Sequence, residues 1–390
     1  MGWRYRDTVL ALCTLAFFVT MAGRLAISPV VPAITDEFAV SNAAVGVALS
    51  GMWLTYGLAQ YPSGVLADRY GERSVVLAAI GGTAAFGIVL ATAPVFVAFF
   101  VGTVLLGAFA GLHYSVATTL LSRTYDRVGT AVGVHNNGAT VAGLIAPVAA
   151  AWVGAQYGWR PAVALVAVVG VPAFALFALR VRPTEPRRPD VAIRERVAFG
   201  PAAELLSRPQ IAFTVVVAIA GEFAWQGLAS FLPTFLVEHR GYSTALAGSV
   251  FAAYFVAQIP GQIVVGAAGD RFGYDTAIAG CMLVGASAIG LLFAGFGLGG
   301  VVVAVSLLGV AMSFGAALMP RFLEAMTDAE RNAGFGLVRT VYMVVASSGS
   351  VVVGLLADLY GWPLTFGVLG GLFVAVVGLV ASNRLFGLGY

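Results

Sequence analysis

Apolar residues run through this chain in long blocks separated by short polar breaks. A helix needs about 20 mostly apolar residues to cross a hydrocarbon core of about 30 Å. Blocks of that size fall at roughly 8–34, 41–66, 74–92, 95–121, 128–156 and 160–181, and again at roughly 210–236, 243–268, 276–296, 299–320, 333–357 and 362–382. The pattern predicts an all-α integral membrane protein with twelve transmembrane helices. Residues 182–209 break it. They carry Pro183, Pro186, Pro189, Pro201 and Pro209 with arginines between, which predicts a polar linker with a short surface helix around Ile193 to Leu206. The expected organisation is a six-helix bundle over 1–181, a linker over 182–209 and a second six-helix bundle over 210–390.

Composition agrees. The chain is 60% hydrophobic and 10% charged, against about 45–50% and about 25% in soluble domains, so lipid must solvate most of it. All 21 basic residues are arginine and the net charge is only +3, which leaves no basic face for nucleic acid. Cys13 and Cys281 both sit inside apolar runs, so neither a disulfide framework nor a metal site is expected. The first apolar run, about 25 residues from Thr8, is too long for a signal-peptide core of about 7–15 and reads as a retained first helix. No Gly-rich loop ending in Gly-Lys-Ser/Thr points to ATP, and no cofactor is implied. No helix carries paired carboxylates or histidines at metal-ligand spacing, so an enzyme is not expected.

Arginine sets the direction, because cytoplasmic loops carry the excess of positive charge. With the N-terminus inside, seventeen arginines fall on the cytoplasmic side: Arg4, Arg6, Arg69, Arg73, Arg123, Arg127, Arg180, Arg182, Arg187, Arg188, Arg194, Arg196, Arg208, Arg271, Arg321, Arg331 and Arg384. Only Arg160 and Arg240 fall outside. Both termini are therefore expected to be cytoplasmic, with the protein in the cell membrane.

The chain also repeats itself. Gly64-Val65-Leu66-Ala67-Asp68-Arg69-Tyr70-Gly71 recurs 202 residues later as Gly266-Ala267-Ala268-Gly269-Asp270-Arg271-Phe272-Gly273. Ser41-Asn42-Ala43-Ala44-Val45-Gly46 recurs at the same offset from Ser243, and Tyr157-Gly158-Trp159 recurs at an offset of 203 as Tyr360-Gly361-Trp362. A six-helix unit duplicated in parallel explains all three.

The stretch from Gly64 to Arg73 resembles the loop 2–3 signature of the major facilitator superfamily. That resemblance implies a twelve-helix secondary transporter, working as a monomer by alternating access. In the family the aspartate of the motif helps latch the cytoplasmic side in the outward-open state. The resemblance gives Asp68 this role against the positive N-terminal end of helix 11, and the repeat gives Asp270 the start of helix 5. Gly64, Gly71, Gly266, Arg271 and Gly273 complete the motif positions, with Arg69, Arg73 and Arg123 in a surface charge network. The plainer alternative is a set of solvated loop charges that only enforce topology. Helix 5 carries Pro147 with Ala142, Ala146, Ala150 and Ala151 where antiporters of the family show glycines.

Charge inside a span costs about 2.5–3.5 kcal/mol on the insertion scale and needs a cavity and partners. Arg24, Glu222 and Arg339 lie in spans 1, 7 and 11, with His113, His135, Asn136 and Asn137 as polar companions. The repeat pairs Thr20 with Glu222 and Arg24 with Gln226, each four residues apart on one helix face. Glu222 is expected to carry a proton, with Arg24 entering and leaving its surroundings. The alternatives are a static Arg24–Glu222 pair and a substrate contact without protons. His113, in Gly111-Leu112-His113-Tyr114, is similar to the fosmidomycin-resistance-like branch, although Tyr114 replaces that branch's proline. Arg24 with Ile27-Ser28-Pro29 resembles the branch that carries organic anions with a cation. His113 is otherwise a packing residue. Trp53, Tyr56, Phe223, Trp225, Tyr254 and Phe255 either line the cavity or pack, and Trp159 and Trp362 read as interfacial anchors. A proton-coupled carrier of a small organic anion is the leading expectation, with drug efflux and a non-transporting solute sensor as alternatives.

Overall fold

The structure, a computed structural model, describes residues 4–125, 128–186, 200–327 and 333–390. Arg127, Arg187, Arg188, Arg194, Arg196, Arg331 and the expected start of the surface helix at Ile193 lie outside them. The described residues form helices and no strands. Ten segments are long and apolar enough to cross a membrane. One of them, Gly336–Leu385, is two rods parted at Gly361 (φ 76°), and Asn42–Tyr70 is a further rod of 29 residues, which makes twelve.

In chain order these are α1 (Tyr5–Phe38), α2 (Asn42–Tyr70), α3 (Glu72–Ala91), α4 (Phe96–Thr124), α5 (Val128–Tyr157) and α6 (Trp159–Arg180). A short helix, Gly200–Ser207, then precedes α7 (Pro209–Glu238), α8 (Thr244–Phe272), α9 (Tyr274–Phe293), α10 (Leu298–Glu324), α11 (333–360) and α12 (362–385). The rods alternate in direction, so the start of α1 and the end of α12 share one face, called here the terminal face. The opposite face is the far face.

Local chemistry explains the ends. Ser41 and Ser243 cap α2 and α8, each hydroxyl accepting the N–H three residues on, from Ala44 at 3.2 Å and Leu246 at 3.3 Å. Gly71 (φ 81°) and Gly273 (φ 88°) make single-residue reversals into α3 and α9. Gly71 is doubly constrained, because a Cβ there would sit 2.3 Å from the Thr184 carbonyl oxygen. The signature's Asp68 and Arg69 therefore belong to the last helical turn of α2 and not to a loop.

The sequence repeat is a structural repeat. A Cβ on Gly107 of α4 would meet the Met52 carbonyl at 2.1 Å, and one on Gly309 of α10 would meet the Tyr254 carbonyl at 2.0 Å. Both residues of each pair are 202 apart. Trp159 donates to Glu37 at 2.5 Å in the first half and Trp362 to Glu238 at 2.9 Å in the second. Both tryptophans are buried and tie helix ends within their own half, so neither is the exposed interfacial anchor expected. Spans 4 and 10, expected as continuous, are both broken: α4 at Leu112 and α10 between Ala311 and Gly315, with i→i+3 bonds closing the turns.

The two halves touch on the far side and part towards the terminal face. On α2, Gly46, Gly57 and Gly64 lie on one stripe. A Cβ would meet Ser350 O at 2.7 Å at the first, Met343 Cβ at 3.3 Å at the second, and none of the described residues within 4 Å at the third. On α8, Gly248 lies against Pro147 and Ala151 and Phe255 against Gly143, whereas Gly266 has no described residue within 4 Å. Ser28 Oγ donates to Ser230 O at 2.9 Å, so residues related by the repeat meet on its axis.

The packing yields a stability prediction. Gly107→Val should destabilise the folded protein by about 1–3 kcal/mol, read as a lower melting temperature in detergent. Gly290→Ala, in open space on α9, should leave it unchanged or raise it by up to ~1 kcal/mol.

Candidate functional site

Helix side chains lean back toward the N-terminus of their own helix, and Arg24 follows that rule. Its Nε donates to the Thr20 carbonyl at 3.0 Å, and the guanidinium lies 3.9 Å from the Tyr56 ring centroid and 5.0 Å from that of Trp53. Only 3% of Arg24 is exposed. With water removed, two π-faces and a carbonyl of its own half solvate the charge. Thr20 is buried, its hydroxyl donating to Phe17 O at 3.2 Å.

Across the gap, Arg339 of α11 lies 4.9 Å from the ring of Tyr114, which follows the break in α4. Its electrostatic neighbours are Tyr342, Tyr114, Tyr56 and Glu222. Glu222, half-buried on α7, has Arg339 as its charged neighbour, and among the described residues it makes no ion pair within 4 Å. The static Arg24–Glu222 pair, the alternative to a proton-carrying Glu222, is therefore not formed in this structure. Arg24 turns onto α2, and the arginine that acts on Glu222 is Arg339. Around these charges the Tyr254 hydroxyl, the Trp53 indole N–H and both amide atoms of the fully buried Gln226 have no hydrogen-bond partner among the described residues. Trp53 meets Trp225 of the other half edge-on at 5.1 Å.

The companions separate. His113 is fully buried inside the first six rods, between Phe17 at 5.5 Å and His135 at 5.2 Å, and both its ring nitrogens lack partners. Tyr114, the next residue, shares the Phe17 and His135 cluster and is the one that meets Arg339. Asn136 shares a stripe of α5 with Thr140, Gly143 and Pro147, the stripe that meets α8 on the far side, and it is exposed where the halves part. Asn137 is exposed on the outward stripe of Val134 and Val141.

At the terminal face Arg69, Arg73, Arg123, Asp270 and Arg271 make contacts within their own halves. Arg123 pairs with Glu72 at 2.7 Å, a carboxylate only 2% exposed. Arg73 donates to the carbonyls of Ala178 at 2.6 Å and Val181 at 2.8 Å, closing the C-terminal end of α6. Arg69 and Arg271 lie 5.5 and 5.1 Å from the rings of Tyr70 and Phe272. Asp270 is exposed and accepts from the Tyr274 hydroxyl at 3.4 Å, and Arg321 pairs with Asp275 at 2.5 Å. Asp68 is half-buried in the last turn of α2.

Sequence reasoning missed Tyr114, Tyr342 and Glu72. Tyr342 had a signal, being one helical turn from Arg339. Glu72 directly follows Gly71, so it begins α3 and its carboxylate faces inward.

The profile of the Major Facilitator Superfamily matches residues 13–252 and 242–384. The hexuronate transporter of Bacillus subtilis (strain 168) is 23% identical over 242 residues, covering 60% of this chain and 57% of that protein. The membrane sensor protein UhpC of Escherichia coli (strain K12) is 27% identical over 188 residues, 46% of this chain and 42% of that protein. The chain thus spans less than two thirds of the length of either relative. A bacterial homolog of the human lysosomal transporter Spinster, solved inward-facing and unoccupied, shares the fold with a TM-score of 0.79 at 16% identity, over 99% of this chain and 96% of that one.

A buried polar group without a partner is costly, and an apolar isostere is neutral or stabilising. His113→Phe should therefore raise the melting temperature in detergent or leave it unchanged. A fall of several degrees would mean that the imidazole has a polar role in the fold.

Proposed function

The chain belongs to the Major Facilitator Superfamily, and we propose that it is a proton-coupled secondary transporter of a small organic anion, in which residues 1–181 and 210–390 rock about the central site. The observation that carries the reading is the charge set between the halves: Arg24 on one side, Arg339 on the other, and one half-buried carboxylate, Glu222, under the influence of Arg339. Two guanidiniums and one carboxylate leave a net positive site when Glu222 is ionised. An anion entering the gap offsets that charge, and the unpartnered groups of Gln226, Trp53 and Tyr254 supply donors and acceptors to orient it. Protonation of Glu222 frees Arg339 for the anion, which couples the two. The hexuronate relative supports an organic anion as the substrate class.

Separation of the halves at the terminal face and seventeen arginines against two support an inward-open state in the cell membrane with both termini cytoplasmic. In this reading Asp68 and Asp270 belong to the latch of the closed terminal face, with Gly64 and Gly266 allowing close approach there. The work is done by a monomer without a cofactor.

A sensor that binds the anion without moving it is favoured by one observation, the UhpC relative. Two measurements on purified protein test the transport reading. Small organic anions, hexuronates first, should raise the melting temperature by mass action, and Arg339→Ala should remove the effect. In proteoliposomes Glu222→Gln should abolish uptake driven by a pH gradient while binding persists. Undiminished pH-driven uptake would remove the proton role from Glu222.

A further inference from the structure

One carboxylate crosses the closed far face. Asp358, near the end of α11, accepts the backbone N–H of Asn42 through Oδ1 at 3.2 Å and that of Ala43 through Oδ2 at 2.7 Å. Those are the first two amides of α2, in the other half of the molecule. Helix N-termini leave such amides without intrahelical partners and carry the positive end of the macrodipole. The approach is built in. One turn before Asp358, Gly354 lies so close to Asn42 that a Cβ would sit 2.5 Å from its carbonyl oxygen. One further turn back, Ser350 presses on Gly46, and the Val351 amide donates to Ser50 Oγ at 2.8 Å.

The repeat shows that this contact is no by-product of the symmetric scaffold. At the related crossing of α5 and α8, Ala155 stands where Asp358 stands, at an offset of 203, and Ala151 stands where Gly354 does. There Gly248 packs on Pro147 and Ala151 without a carboxylate. Among the described residues the terminus of α8 has only its own Ser243 cap. The terminus of α2 has both its Ser41 cap and a borrowed one. No arginine lies within 4 Å of Asp358 among the described residues, so the amides and the helix end alone hold it.

We infer that Asp358 is a far-face latch: a carboxylate of one half that caps α2 of the other only while the far face is closed, and so biases the protein towards the state open at the terminal face. The inference rests on the alternating-access reading. When the halves part at the far face, the Asn42 and Ala43 amides pass to water and the bias is lost. Loss of a helix cap costs a factor of about 2 to 30 in an equilibrium, and that is the shift expected here.

The test uses the full chain in lipid nanodiscs with spin labels and double electron–electron resonance. One label pair replaces Tyr157 and Tyr360, exposed repeat mates at the far face. A second replaces Tyr70 and Phe272 at the terminal face. The parent should favour a short far-face distance and a long terminal-face distance. Asp358→Ala should raise the population with the opposite pattern about 2- to 30-fold, Asp358→Asn should do so less, and Ser243→Ala should leave the populations unchanged. Unchanged populations in a folded Asp358→Ala protein would overturn the latch and leave the transport reading standing. A parent with one fixed distance at both faces, with and without added organic anion, would overturn both.

Discussion

A guanidinium removed from water must find its solvation inside the protein, and Arg24 shows how much of the structure that demand organises. Its charge is met by the Thr20 carbonyl one turn back and by the faces of Tyr56 and Trp53 on α2. Those rings lie in place because α2 packs tightly on α4, where Gly107 leaves room for the Met52 backbone. Held this way, Arg24 does not need Glu222. The carboxylate is then left to Arg339, and in the proposed reading the site keeps an unbalanced positive charge for an anion.

The scaffold is symmetric and its chemistry is not. Gly107 and Gly309, Ser41 and Ser243, Gly71 and Gly273, and the Trp159–Glu37 and Trp362–Glu238 ties repeat the same geometry in both halves. At the same offset Arg24 corresponds to Gln226, Thr20 to Glu222, Met52 to Tyr254 and Tyr56 to Gln258. Packing needs small residues and sharp turns at fixed places, so those recur. Binding needs charge and hydrogen-bonding groups at one place, so each half contributes a different part.

That division also decides what was legible in the chain. Spans, repeat and the turn glycines depend on local composition and backbone freedom, and they could be read directly. The candidate residues Arg24, Glu222 and Arg339 stand out because charge in a lipid-solvated helix is rare, and Gln226 because the repeat pairs it with Arg24. Their pairing was not readable. Whether Arg24 turns across the gap or back onto α2 depends on rotamer and helix rotation, which no spacing encodes. The breaks in α4 and α10 were missed because hydropathy stays high through them, and it is Tyr114, next to His113, that meets Arg339. The Asp358 contact was missed because it joins residues 315 and 316 apart.

The central claim is that an anion bound between the halves is carried across the membrane. Counterflow in proteoliposomes tests it most directly. Vesicles loaded with an unlabelled organic anion that stabilises the protein should transiently accumulate the labelled anion above its outside concentration, with no pH gradient applied. Stabilisation by the anion without any counterflow would contradict transport and identify the protein as a solute sensor built on the same fold.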